Sequence, residues 1–78
     1  MPTRRTPPAP PPAARSLAKR IRQLRAAKGW SQETLAEHAN IHRVYLAGIE
    51  LGRRNPSLRN LENIATALGI SLSQLFHD

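Results

Sequence analysis

The sequence predicts an all-α domain of five short helices, and three observations carry that prediction. Apolar residues recur at i, i+3, i+4 and i+7 in the longer segments, the spacing of one buried helix face. No segment alternates polar and apolar residues over a useful length, so strands are not expected. Four helix starts share one device, a capping position bracketed by apolar residues, the two ends of a hydrophobic staple. The pairs are Trp30 with Leu35, Ile41 with Leu46, Pro56 with Leu61 and Ile70 with Leu75; the caps between them are Ser31, His42, Ser57 and Ser71.

Residues 1–14 hold six of the seven prolines. Proline lacks the helical donor and packs no core, so the segment reads as a disordered Pro/Arg-rich arm of polyproline II character. Its Arg4-Arg5-Thr6-Pro7-Pro8-Ala9-Pro10-Pro11 run fits a generic ligand pattern for SH3-type grooves. Arg4 and Arg5 could instead reach DNA as an electrostatic arm, or the arm could have no role. The domain proper is expected over residues 15–78. Its first helix is predicted from about Ser16 to Lys28, with Leu17, Ile21 and Leu24 inward, Lys19, Arg20, Arg22 and Gln23 outward, and Gly29 as its stop.

The second helix starts at the Ser31 cap, with Glu33 in its first turn and Leu35, Ala36 and Ala39 on its apolar side. Asn40 tolerates the left-handed conformation that ends a helix. The third helix then begins at His42 and buries Leu46 and Ile49, leaving Arg43, Val44, Ala47 and Gly48 on a face with no internal partner. A short exposed helix held at an angle by its neighbour is a helix-turn-helix, whose second helix enters the DNA major groove. The fourth helix is predicted over Leu58–Leu68, burying Leu58, Leu61, Ile64, Ala65 and Leu68 and stopping at Gly69. The fifth runs from Leu72 to about Phe76, behind a capping box of Ser71 and Gln74.

Composition narrows the function. The 78 residues carry a formal charge of +7, which suggests a polyanionic partner. The basic residues Arg4, Arg5, Arg15, Lys19, Arg20, Arg22, Arg25 and Lys28 all precede the first acid, Glu33. Without cysteine, disulfides, zinc fingers and thiol catalysis are excluded, and a reducing cytoplasm is the natural home. No apolar run approaches a membrane span or a signal-peptide core. No nucleophile with a base, glycine-rich phosphate loop or inward carboxylate pair is present, so an enzyme is not expected, nor a cofactor. His38 and His42 are separated by the predicted turn and His77 lies near the end; with no carboxylate to complete a ligand set they read as surface residues, not a metal site.

The residues Arg25, Gly29-Trp30-Ser31-Gln32-Glu33-Thr34-Leu35-Ala36, Tyr45-Leu46-Ala47-Gly48-Ile49-Glu50, Arg54-Asn55-Pro56-Ser57-Leu58 and Ile64-Ala65-Thr66-Ala67-Leu68-Gly69-Ile70-Ser71 stand in this order. Together they resemble the Xre/Cro-type (lambda-repressor-like) DNA-binding domain of phage repressors and bacterial regulators, over roughly Ser16 to Phe76. The run Arg43–Glu50 followed by Arg54-Asn55-Pro56 is similar to the controller proteins of restriction–modification systems, which are homodimeric regulators of their own operons. The sequence departs from the family pattern at Asn40 for the usual turn glycine, His42 for the usual cap, and Leu51 for a polar residue. The resemblance implies an interior ion pair between Arg25 and Glu50, with no DNA role for either.

Arg43 is the expected base reader, able to give guanine O6 and N7 two hydrogen bonds; a phosphate clamp is its alternative. Val44 could meet a thymine methyl, and Ala47 and Gly48 let the helix sit deep, unless crowding inside the protein explains Gly48. Phosphate contacts are expected from Ser31 and Gln32 at the second helix, His42 and Tyr45 at the third, and Arg53, Arg54, Asn55 and Ser57 before the fourth. For Gln32 the alternative is plain solvent exposure, for Tyr45 packing, and for the Arg53–Ser57 stretch a solvated loop. The expectation is a sequence-specific transcriptional regulator in a bacterial or phage setting. It would bind a palindromic operator in double-stranded DNA as a homodimer joined through Leu72, Leu75 and Phe76. With the chain ending two residues past Phe76, no small-molecule effector is expected. The alternatives are the antitoxin of a toxin–antitoxin pair and a protein-interaction module of the same fold.

Overall fold

A computed structural model of the chain describes residues 12–76. Five helices follow one another, α1 (Pro12–Ala27), α2 (Gln32–Ala39), α3 (Arg43–Glu50), α4 (Leu58–Leu68) and α5 (Leu72–Leu75), with no strand among the described residues. Helix α2 packs on α3 and α4, α1 on α3 and α5, and α4 on α5. Ile21, Leu35, Leu46, Ile49, Ile64 and Leu75, one or more from every helix, meet in a core that water does not reach.

Local chemistry sets the boundaries. Ser31, Ser57 and Ser71 each accept a hydrogen bond from the backbone N–H three residues on, and Gln74 closes the capping box by accepting from the Ser71 N–H at 2.8 Å. The first four helices end alike. The N–H of the left-handed residue reaches back three positions and the next N–H reaches back five, a Schellman closure of the orphan carbonyls. For α2 these bonds are Asn40 to Glu37 (3.1 Å) and Ile41 to Ala36 (3.0 Å). Asn40 holds φ 55°, and among the described residues it is the only non-glycine in that region. The turn between α2 and α3 is thereby fixed by the backbone itself.

Two expectations need correction here. Helix α1 begins at Pro12 rather than Ser16, so residues 12–14 are its first turn instead of the end of the arm. Proline suits a first helical position because its missing N–H would have no helical partner there, and Ala13 and Ala14 favour the helix that follows. The rest of the arm, with Arg4 and Arg5, lies outside the described residues, as does His77. Leu58 is 62% exposed, not buried. It stands in the first turn of α4, outside the buried stripe of Leu61, Ile64, Ala65 and Leu68. Arg22 is exposed as expected, and its Nη1 also donates to the backbone carbonyl of Glu50.

Candidate DNA interface

Helix α3 has two unlike sides. Leu46, Ile49 and Glu50 are buried, whereas Arg43 and Val44 are exposed and Ala47 and Gly48 half-exposed on the opposite side. Val44 is 59% exposed, so most of its apolar side chain lies outside the core.

What holds this helix is a convergence on Glu50. Its carboxylate is 1% exposed and accepts from Nε and Nη2 of Arg25 at 2.8 and 2.9 Å, a bidentate pair. Nε2 of Gln32 adds a third bond at 3.0 Å, and Nη1 of Arg25 also donates to the Trp30 carbonyl at 2.9 Å. With Arg22 on the Glu50 carbonyl, α1 supplies the cations that the last turn of α3 lacks in its own sequence. Four side chains from three helices thus meet at the end of α3.

The other side chains singled out in the sequence lie around this helix. At the start of α2, the Ser31 hydroxyl is occupied by the Thr34 N–H (3.0 Å) and lies 2.9 Å from the Thr34 hydroxyl. Gln32 is half-buried with its amide turned to Glu50. His42 is the exposed residue before α3, with extended backbone and no side-chain cap bond. The half-buried Tyr45 hydroxyl accepts from Nδ2 of Asn60 at 3.2 Å, tying α3 to α4. Arg53, Arg54 and Asn55 are exposed between α3 and α4, next to the Ser57-capped start of α4. Two helix N-termini and two loop arginines are available to an anion.

Two expected roles change. The space beside Gly48 is taken by the side chain of Arg54, whose Cγ lies 2.4 Å from the point a Cβ would occupy. Leu75, expected at a subunit surface, has no exposed area; it closes the core, leaving the half-buried Leu72 and the exposed Phe76. Sequence reasoning also missed the stacking of Trp30 on His38, with ring centroids 4.3 Å apart. Nδ1 of His38 donates to the Thr34 carbonyl at 2.9 Å, and the Lys28 ammonium stands 5.0 Å from the Trp30 ring centre. The one-turn spacing of Arg22 and Arg25 was a visible signal that both reach the same neighbour; the histidine contact had no such signal.

No described helix is long and apolar enough to cross a membrane. The helix-turn-helix family profile matches residues 21–75. The chain is 47% identical over 60 residues to the control protein C.MunI of Mycoplasma, covering 76% of this chain and 81% of that one. It is 44% identical over 59 residues to a hypothetical transcription factor of Neisseria meningitidis, covering 76% of this chain but only 56% of that relative. In three dimensions it is similar to the restriction–modification controller protein C.AhdI from Aeromonas hydrophila, with a TM-score of 0.78 and 47% identity over 80% of this chain and 94% of that one.

Proposed function

This chain belongs to the helix-turn-helix family, and on that premise we propose that it is a sequence-specific transcriptional regulator which binds a palindromic operator as a homodimer. The observation that carries the reading is the outward side of α3. Among the described residues Arg43 and Val44 have no side-chain hydrogen bond or ion pair, and the helix that carries them is held from behind through Glu50. Such a face is complementary to base edges, the arginine to guanine and the valine to a thymine methyl. The exposed Arg53, Arg54 and Asn55 and the starts of α2 and α4 supply the phosphate contacts that set its register. Gln32 keeps a phosphate role only through the amide hydrogen that Glu50 does not take.

Dimerisation is supported by Phe76, 57% exposed beside the half-buried Leu72, and by the small size of a core that gains from a second copy. Two recognition helices would then meet half-sites about 34 Å apart. Control of a restriction–modification operon is supported by the identity with C.MunI and the likeness to C.AhdI. The test is retention of random genomic fragments over a salt series, followed by sequencing. One short palindrome should be enriched by the native protein and lost with Arg43→Ala, and affinity should fall steeply with salt. Retention without enrichment, or affinity indifferent to salt, overturns the reading.

A further inference from the structure

We propose that Asn60 is a positioning residue for a phosphate contact made by Tyr45, turning the phenol so that its hydrogen is left for the operator backbone. The proposal rests on the reading of α3 as the DNA-facing helix. Tyr45 lies in the first turn of α3, and its half-buried ring packs against the core, which fixes where the hydroxyl stands. Asn60 approaches from the first turn of α4, where its own N–H is bound to the Ser57 hydroxyl at 3.2 Å. Its half-buried side chain donates from Nδ2 to the Tyr45 hydroxyl, also at 3.2 Å. At the equivalent place in α5, Gln74 turns back to the Ser71 N–H and closes a capping box. Asn60, one methylene shorter, turns to Tyr45 instead.

The direction of this bond decides what the phenol can do. A phenol has one hydrogen to give and lone pairs that accept. With a lone pair taken by Asn60, the hydrogen turns away from the amide, and among the described residues no acceptor takes it. A hydroxyl that accepts a bond also becomes a stronger donor. The hydroxyl stands against the first turn of α4, whose partial positive charge favours an anionic acceptor. A phosphate oxygen only accepts, and so matches a phenol held this way. The reverse orientation of the amide would consume the hydrogen inside the protein.

The experiment measures binding to the selected operator with each phosphate in turn replaced by a neutral methylphosphonate, and a melting curve for every variant. In the native protein one replacement per half-site should carry a penalty that Tyr45→Phe abolishes, about 10-fold or more for a bond to a charged group. Asn60→Leu keeps the shape without the donor and should shrink that same penalty by about 2- to 10-fold. On Tyr45→Phe, Asn60→Leu should change the phosphate scan no further. Asn60→Asp can only accept, so it captures the phenolic hydrogen and should abolish the penalty as Tyr45→Phe does. The charge it adds is subtracted by making the same substitution on Tyr45→Phe. A penalty unchanged in Tyr45→Phe, or an Asn60→Leu that lowers only the melting temperature, overturns the proposal while Arg43→Ala still alters its own base pair. If Arg43→Ala also alters no preference, the reading of α3 fails and the proposal falls with it.

Discussion

Replacing Arg25 with methionine should destabilise the domain more than replacing Glu50 with leucine, although the two substitutions break the same ion pair. Arg25→Met leaves the carboxylate, 1% exposed, with only the Gln32 amide. Stranding a buried charge typically costs 3–5 kcal/mol, so about 4 kcal/mol is expected here. Glu50→Leu strands a guanidinium whose side chain is 20% exposed and which keeps the Trp30 carbonyl. It regains part of its hydration, and the expected cost is about 2 kcal/mol. The double variant, with an apolar pair in place of the ionic one, should fall well short of the two costs combined, a coupling of about 3 kcal/mol. Urea unfolding followed by far-UV circular dichroism measures all three. Equal single costs, a costlier Glu50→Leu or an additive double variant would refute the argument that burial of the stranded charge decides the penalty.

Further outcomes follow from single features. Ser31→Ala removes the bond to the Thr34 N–H and should cost ~1 kcal/mol, seen as a melting temperature lower by about 4–8 °C. Asn40→Ala should cost ~1–2 kcal/mol because alanine pays for the left-handed backbone at φ 55°, while Asn40→Gly should melt no lower than the native chain. Leu75→Ala opens the fully buried core and should cost about 2–5 kcal/mol in urea unfolding. Phe76→Ser should leave the unfolding of the monomer within ~0.5 kcal/mol yet raise the dimer dissociation constant in sedimentation equilibrium.

The elements that local chemistry decides were legible in the sequence. Serine caps, the Ser71–Gln74 box and the turn at Asn40 each require only residues within one helical turn of one another. The helix boundaries from residue 31 onward therefore follow from neighbouring side chains. What was not legible depends on residues distant in the chain. Leu58 and Leu75 both look apolar and helical, and only the packing of other helices leaves one exposed and the other enclosed. Arg54 on Gly48, Gln32 on Glu50 and His38 on Trp30 are side-chain choices among several partners, made by the assembled fold. The start of α1 was misplaced for a different reason: a proline-rich run hides the one proline that suits a helix opening.

The convergence on Glu50 separates the outward residues of α3 from what holds the helix. Arg43, Val44 and Ala47 share no bond with Arg22, Arg25, Gln32 or Glu50. Their identities can drift without loosening the scaffold behind them. A duplicated gene could therefore acquire a new target by changing a few outward residues, each step leaving a folded intermediate for selection to keep. The same separation suits laboratory reprogramming: if the outward face reads bases as proposed, a library confined to positions 43, 44 and 47 on this frame should yield regulators with different operators.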